Sequence, residues 1–200
     1  MNERSGIMLA LLAAGQSRRF GEQDKLCALL GGRMLGLHAA ETAAEMPFSQ
    51  KLVISSPDHP CSAQWTALGF QVIANEDAAK GQATSVRLAA THAIEAGAKA
   101  LCIMLADMPF VTPDHIGKLI EGFAQAGSTR TVASGRNGQT MPPAIFPSGS
   151  LERLIGLTGD SGARKLLGDA LLTTGGDQLL MDIDTPEDLA EANRNFRQIN

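Results

Sequence analysis

The sequence predicts an α/β fold with three layers, in which a doubly wound, mostly parallel sheet lies between helices. Two observations lead to this fold class. Short apolar runs alternate with helix-like stretches from residue 7 to residue 127, the rhythm of a parallel sheet with helical crossovers. Hydrophobic residues make up 44% and charged residues 19% of the chain, an ordinary balance for a globular protein.

The strands of the predicted sheet come first. Residues 7–13 and 100–106 are apolar at nearly every position, which is typical of strands buried on both faces of a parallel sheet. Residues 51–55 and 70–74 are shorter runs of the same kind. These four segments are predicted to form the parallel part of the sheet.

Helices are predicted between these strands, over residues 34–46, 81–97 and 112–127. The third has the clearest ends: Thr112 can cap its start, Pro113 suits a first turn, and Gly127 can stop it.

Beyond residue 130 the alternation loosens. Residues 131–134 and 141–146 are predicted strands, and 148–157 and 159–168 are predicted helices. Residues 179–195 read as a strand running into a helix, which Thr185 and Asp188 would cap reciprocally. With no repeat, low-complexity tract or linker, residues 1–200 are expected to form one domain.

Composition excludes several classes of function. The net charge of −4 and the 4% aromatic content argue against nucleic acid as a partner. No stretch approaches the ~20 apolar residues of a membrane span, and the apolar run 7–14 is at the short limit for a signal peptide. The three cysteines are far apart in the sequence and form no CxxC pair. This pattern favours reduced thiols and a cytoplasmic protein.

The segment 11–25, LLAAGQSRRFGEQDK, follows the first predicted strand with a turn and three basic residues. It matches neither the Walker A loop nor the GxGxxG dinucleotide fingerprint. Backbone N–H groups near Gly15 could approach an anion, with Arg19 and Lys25 adding charged donors. An exposed basic turn explains the same residues, and the pattern by itself leaves both interpretations open.

Carboxylates follow two predicted strands. Asp107 comes directly after the run 100–106, at the edge of the sheet where α/β proteins bind ligands. Asp182 and Asp184 alternate along the last predicted strand, and Asp184 lies just before the capped helix. Such oxygens suit Mg²⁺ together with substrate phosphates, whereas the alternative for Asp107 is an Asx turn or helix cap.

Two further segments carry polar groups near glycines. Gly81, Thr84, Ser85 and Arg87 lie at the start of a predicted helix, where the hydroxyls either cap the helix or bind a ligand. The residues 159–164, GDSGAR, suit either a helix cap or an anion site.

The first segment resembles a long family signature. The pattern Leu12-Ala13-Ala14-Gly15-x-Ser17-x-Arg19-x-Gly21-x-x-x-Lys25 is similar to the L-A-[AG]-G-x-S-x-R-x-G…K motif of nucleotidyltransferases that pass a nucleoside monophosphate to an acceptor phosphate. The family includes the molybdenum cofactor guanylyl- and cytidylyltransferases and many sugar-phosphate nucleotidyltransferases. The resemblance implies the Rossmann-like fold of the nucleotide-diphospho-sugar transferases.

The resemblance also implies roles for particular residues. Its implied catalytic residues are Arg19, Lys25 and Asp107, with Asp107 and Asp184 as ligands of Mg²⁺. Asp160 and Arg164 match a box near the acceptor pocket, and Arg18 fills a variable position. The implied nucleotide-binding residues are Leu12, Ala13, Ala14, Gly15, Ser17, Arg19, Lys25, Gly81 and Ser85.

Within the family, the chain looks closest to the molybdenum cofactor cytidylyltransferases. Ala14 stands where the guanylyl branch has glycine, and residues 159–164 match the cytidylyl box. The implied substrates are CTP and a molybdopterin-type acceptor, and the implied partner is a molybdenum hydroxylase or its chaperone.

Two features depart from that branch. The pair Asp24-Lys25 matches the guanylyl branch, and residues 140–143 replace the usual Gly-His-Pro. The alternatives are therefore GTP as the nucleotide or a sugar or alcohol phosphate as the acceptor. The alternative from another class is a catalytically silent protein that carries a nucleotide or a cofactor.

Overall fold

A seven-stranded sheet forms the middle layer of the computed structural model, which describes residues 6–15, 17, 19–21, 23–158, 163 and 166–199, the last four by backbone alone. The strands are β1 Ile7–Ala13, β2 Leu29–Leu30, β3 Arg33–Met34, β4 Gln50–Ser55, β5 Gln71–Ala74, β6 Ala100–Leu105, β7 Val132–Arg136, β8 Gln139–Pro147 and β9 Leu171–Thr174. The helices are α1 Leu35–Ala44, α2 Ser62–Ala67, α3 Gln82–Glu95, α4 Pro113–Gln125, α5 Leu151–Ile155 and α6 Pro186–Ile199.

The strand order is β5-β4-β1-β6-β8-β7-β9. Strands β5, β4, β1 and β6 are parallel, β8 is antiparallel to both β6 and β7, and β9 is parallel to β7. The chain crosses from β1 to β4 on one side and to β6 on the other, so the carboxyl ends of β1 and β6 lie next to each other. The short β2–β3 hairpin stands apart from this sheet.

Side chains of the central strands alternate between two apolar layers. Along β1, Leu9 and Leu11 pack with α1, α2, α4 and α6, whereas Met8 and Ala10 pack with α3 and α5. Every residue of β1 is buried, as its continuous run of apolar residues predicts. The described helices include none that is long and apolar enough to span a membrane.

Most predicted elements are confirmed. Strand β1 matches its predicted bounds, and the other three parallel strands match theirs to within one residue. The helices predicted over 34–46, 81–97 and 112–127 are α1, α3 and α4, and Thr112 caps α4 by accepting a hydrogen bond from the His115 amide. The predicted strand 131–134 overlaps β7, and the predicted strand 141–146 lies within β8.

The predicted strand at the start of 179–195 is wrong. These residues form a turn and an irregular segment before α6. Leu180 and Ile183 are apolar because they fill the core beside the sheet, and the Ile183 amide makes a single ladder-like bond to the Asp107 carbonyl. Asp182 and Asp184 therefore do not alternate along a strand. The predicted capping of α6 is confirmed, since Thr185 and Asp188 exchange hydrogen bonds.

Strands β2, β3 and β9 and helix α2 escaped prediction. One predicted helix lies largely outside the described residues. Strand β9 and helix α2 span only four and six residues. The predicted helix 148–157 consists of a 3-10 turn followed by α5, and most of the predicted helix 159–168 lies outside the described residues.

Candidate active site

A pocket of about 400 Å³ opens at the carboxyl ends of β1 and β6. This edge is where open α/β sheets bind their ligands, and the volume is in the range of small-molecule sites. The pocket is lined by Leu12, Ala13, Ala14, Gly15, Ser17, Arg19, Lys25, Leu26, Ala78, Ala79, Gly81, Gln82, Ser85, Leu105, Asp107 and Asp184.

Lys25 lies on the floor of the pocket between two carboxylates. Its Nζ is 2.6 Å from Oδ2 of Asp107 and 2.8 Å from Oδ1 of Asp184, and only 9% of its side chain is exposed. Burial acts to lower the pKa of Lys25, but the charges and hydrogen bonds of the two carboxylates outweigh it and raise the pKa. The lysine is therefore held as an ammonium ion that joins three distant parts of the chain.

The position of Lys25 follows from a local turn. Residues Lys25–Cys27 form a 3-10 turn, and Asp24 caps it by accepting a hydrogen bond of 2.9 Å from the Leu26 amide. Ser17 supports the turn from the preceding loop, since its hydroxyl oxygen accepts a hydrogen bond of 3.3 Å from the Lys25 amide. The loop after β1 is thereby tied to the residue that carries the ammonium group.

Asp107 lies in the turn that directly follows β6, and one of its carboxylate oxygens has no hydrogen-bond partner among the described residues. Oδ2 accepts from Lys25, whereas Oδ1 is buried and receives no hydrogen bond from any described residue. Burial raises the pKa of Asp107, the ion pair with Lys25 opposes this, and the charges of Asp182 and Asp184 add to the increase. A buried carboxylate oxygen without a donor is costly, so it marks a place for a positive ligand.

Asp184 joins the pocket from the start of α6. Its Oδ1 accepts from Lys25, and its Oδ2 lies 3.1 Å from the guanidinium of Arg19. The Asp184 amide donates to Oδ2 of Asp188, the residue that caps α6. The helix cap thus fixes the backbone of Asp184, while Arg19, with 75% of its side chain exposed, can leave it more easily than Lys25 can.

The opposite wall of the pocket is the start of α3. Gly81 has φ of 105°, a conformation that favours glycine. No side chain of the described residues caps α3, which leaves its first N–H groups available to an anionic or polar ligand. Asn75 fixes this turn, because its side-chain amide donates to the hydroxyls of Thr84 and Ser85 at 2.9 and 2.8 Å.

The loop after β1 completes the pocket. A Cβ built on Gly15 would have no described atom within 4 Å, so among the described residues the glycine leaves open space at the rim and does not relieve a clash. That space lets a ligand approach the backbone closely, as the sequence predicts.

Every predicted nucleotide-binding and metal-binding residue lines this one pocket. Asp160 and Arg164, predicted to bind the acceptor, and Arg18 lie outside the described residues. Sequence reasoning missed Leu26, Ala78, Ala79, Gln82 and Leu105. These residues adjoin motifs already singled out, so proximity in sequence was the signal that could have found them. The roles of the predicted residues stay predictions.

The donor set fits a divalent cation. Asp107 and Asp184 present carboxylate oxygens toward the same point, now bridged by the Lys25 ammonium, and the unpaired Oδ1 of Asp107 supplies a further oxygen. One or two carboxylates combined with substrate phosphates are the usual ligands of Mg²⁺.

A family model described as "MobA-like NTP transferase domain" matches residues 9–174. This chain belongs to the MobA-like NTP transferase family. The pocket is accordingly the candidate active site of a nucleotidyltransferase, and the fold is that of the nucleotide-diphospho-sugar transferases.

Two curated relatives of the family cover nearly the whole chain. The purine catabolism protein PucB of Bacillus subtilis is 34% identical, over 88% of this chain and 91% of its own length. A molybdenum cofactor guanylyltransferase of Cereibacter sphaeroides is 30% identical, over 94% of this chain and 96% of its own.

Solved structures show the same fold. A mycobacterial homologue of Rv0371c, from strain JC1, aligns with a TM-score of 0.79 at 21% identity, covering 98% of this chain and all of the other. Rv0371c of Mycobacterium tuberculosis in complex with manganese aligns with a TM-score of 0.69 at 21% identity, covering 94% of this chain and 98% of the other.

Proposed function

We propose that this protein transfers CMP from CTP to the phosphate of a molybdopterin-type acceptor and releases pyrophosphate. The observation that carries this proposal is the Lys25 bridge between Asp107 and Asp184, which lies in a pocket with an uncapped helix start on the other wall. Such a site combines charge neutralisation with backbone donors, the two requirements of reactions at phosphorus.

The proposed reaction needs no side-chain nucleophile. An oxygen of the acceptor phosphate attacks the α-phosphorus of the nucleotide in line, and the bond between the α-phosphorus and its bridging oxygen breaks, so that pyrophosphate leaves with that electron pair. Lys25 and Arg19 would offset the negative charge on the α-phosphate and on the leaving group. The backbone at Ala14 and Gly15 would bind phosphate oxygens, and Gly81 and Ser85 would position the nucleoside.

A divalent cation is part of the proposal, with Asp107 and Asp184 as its ligands. When bound, such a cation would polarise the α-phosphate and neutralise charge on the triphosphate. The two positive and two negative side chains of the site cancel formally, so the protein alone offers a triphosphate little excess positive charge. Mg²⁺ is the proposed ion, and the manganese complex of Rv0371c supports a divalent cation in this fold.

Cytidine is the proposed base for two reasons. Ala14 brings a methyl group to the pocket lining at a position where the guanylyl branch has glycine, and this favours the smaller pyrimidine. PucB is named for purine catabolism, and xanthine-dehydrogenase-type enzymes, which oxidise a purine, are the recipients that the cytidylyl branch implies. A molybdenum hydroxylase or its chaperone is therefore the proposed partner, with Asp160 and Arg164 as proposed acceptor-binding residues.

Guanylyl transfer is the second candidate. Asp24 and Lys25 follow the guanylyl pattern, and the Cereibacter sphaeroides relative is named a guanylyltransferase.

The test is pyrophosphate release with CTP, GTP, ATP and UTP, each with molybdopterin and with Mg²⁺ or Mn²⁺. We expect turnover with CTP to exceed turnover with the other nucleotides. Preference for GTP would replace the cytidylyl assignment with the guanylyl one. Release only with a sugar or alcohol phosphate would overturn the acceptor, and binding without release would indicate a silent carrier.

A further inference from the structure

A buried contact between Asp24 and His59 lies directly beside Lys25. His59 belongs to the loop after β4, and its side chain has no exposed surface. Its Nε2 lies 3.0 Å from Oδ2 of Asp24, a close polar contact that lacks hydrogen-bond geometry, since this buried atom has no hydrogen-bond partner among the described residues. Its Nδ1 accepts a hydrogen bond of 3.1 Å from the Cys61 amide. Because Nδ1 faces an N–H donor, the proton of the neutral ring is on Nε2 and faces Asp24.

Asp24 connects His59 with the turn that carries Lys25. One of its oxygens accepts from the Leu26 amide at the start of the turn, while the other faces His59. Burial acts to raise the pKa of Asp24, but the contact with His59 and the bond from Leu26 outweigh it, so that the pKa lies below its usual value. Asp24 is thus held as a carboxylate with one oxygen hydrogen-bonded to the Leu26 amide and the other in close polar contact with the His59 ring.

The same residues also resemble a metal-binding set, because ligand atoms of Asp24, Cys27 and His59 lie within 4.8 Å of one another. A metal ion on Nε2 would need the lone pair of that atom and hence a proton on Nδ1. The Cys61 amide occupies the position that such a proton would need. The cluster is therefore better explained as a polar support for the turn than as a metal centre.

His59 does not line the pocket, so it has no contact with a nucleotide bound there. Lys25, by contrast, must meet two carboxylates on separate segments within 3 Å. A shift of the turn by a fraction of an ångström would lengthen both contacts, and displacement of a catalytic group by about 1 Å can reduce rates by roughly 100-fold.

We propose that His59 is a positioning residue for Lys25, acting through Asp24. The catalytic consequence rests on the proposed nucleotidyl transfer, whereas the effect on the location of Lys25 does not. His59 orients the Asp24 carboxylate, Asp24 caps the turn, and the turn presents the ammonium group to Asp107 and Asp184.

Two substitutions at His59 separate this role from packing. His59→Phe keeps a ring against Trp65, whose centroid is 4.7 Å away, and removes the polar contact with Asp24. His59→Gln keeps an N–H donor at a similar reach. Asp24→Asn weakens the same contact from the other side. Ser134→Ala, at a residue that does not line the pocket, serves as a control for general loss of stability.

The first measurement is the rate at which limiting acetic anhydride acetylates Lys25 in the full chain, followed by peptide mass spectrometry. We expect His59→Phe to raise this rate about tenfold, because the lost contact to a charged group frees the turn. His59→Gln should restore a rate close to that of the unmodified protein. An unchanged rate in His59→Phe, or an equal increase in Ser134→Ala, overturns the proposal.

The second measurement is steady-state pyrophosphate release. We expect His59→Phe to lower kcat about 10- to 100-fold while KM for the nucleotide changes less than about threefold, with recovery in His59→Gln. Asp24→Asn combined with His59→Phe should be no worse than the poorer single variant. A raised KM with unchanged kcat overturns the proposal. If the unsubstituted protein releases no pyrophosphate, the proposed function fails, and the acetylation rates still decide the role of His59.

Discussion

Two clusters of buried polar side chains lie along the same sheet. The pocket cluster consists of Lys25, Asp107 and Asp184 at the carboxyl ends of β1 and β6. The hairpin cluster lies in the antiparallel part, where Nε2 of His115 is 2.8 Å from the hydroxyl of Ser134, which donates to the Pro143 carbonyl at 2.9 Å. Both clusters join segments far apart in sequence.

The clusters differ in whether their hydrogen-bonding groups are satisfied. In the hairpin cluster the Ser134 hydroxyl both accepts and donates, and burial, reinforced by the charge of Lys118, lowers the pKa of His115 and keeps the ring neutral. In the pocket cluster Oδ1 of Asp107 is buried without a hydrogen-bond partner in the described part of the chain, and the neighbouring side chains Lys25 and Asp184 are charged. Buried polarity therefore does not mark a functional site; unsatisfied charge facing a pocket does.

The largest effect is expected from Asp107→Asn, which removes one charge of the pocket cluster and keeps the shape of the side chain. Pyrophosphate release should fall about 1,000-fold or more, because a proposed cation ligand is lost. The thermal midpoint should change little. Asp182→Asn, which removes a nearby carboxylate without a contact to Lys25, is the matched control. Normal turnover in Asp107→Asn would show the metal assignment to be wrong.

The next effect compares the two cations that meet Asp184. Lys25→Met should lower kcat by roughly 100-fold, whereas Arg19→Ala should lower it by roughly tenfold. The reason is that Lys25 is buried between two carboxylates, while Arg19 is largely exposed and has one such contact. Arg18→Ala should leave kcat within about twofold. Steady-state pyrophosphate release provides the measurement, and equal effects of Lys25→Met and Arg18→Ala would contradict the assigned roles.

The difference between the clusters also explains what could be predicted from sequence. Asp107 stands directly after an apolar run, and Lys25 lies within a long motif that follows another. The strand ends and the spacing therefore indicate that the two residues meet at one edge of the sheet. The hairpin cluster and His59 carry no such signal, because their partners are set by loop conformations and by strand pairing in three dimensions.

The same limit applies to the fold. Strands β1 and β6 are apolar on both faces and could be predicted, whereas β9 is a short edge strand with alternating exposure. The apolar residues around Leu180 imitate a strand, although they only cover the core. The apolar composition of a segment indicates that it is buried, but it does not indicate whether its backbone pairs with a strand.

A smaller effect, on stability rather than activity, is expected in the hairpin cluster. Ser134→Ala leaves the donor of His115 and the Pro143 carbonyl without their partner, so the free energy of unfolding should fall by about 1–3 kcal/mol. The kcat should stay unchanged, because none of the three residues lines the pocket. Urea unfolding gives the free energy, with the exposed Ser148→Ala as the control. A loss of turnover without a loss of stability would link this cluster to the site.

The smallest effect is expected at the cap that holds Asp184. Asp188 accepts hydrogen bonds from the Asp184 and Thr185 amides. Burial acts to raise the pKa of Asp188, but its bonds with Thr185 and the Asp184 amide lower it overall. Since the folded pKa lies below the unfolded value near 4, the stabilisation is present above that value and is lost as the pH falls through the folded pKa.

Asp188→Asn should therefore lower the free energy of unfolding by about 1 kcal/mol at pH 7, and the difference from the unsubstituted protein should shrink below about pH 4. Glu187→Gln changes an exposed charge in the same turn and should shift stability by less than about 0.5 kcal/mol. Urea unfolding across pH 3–7 makes the comparison. A difference that stays constant with pH would mean that the charge of Asp188 does not support the cap, and the fixed position of Asp184 would then depend on its pairing with Lys25 and Arg19.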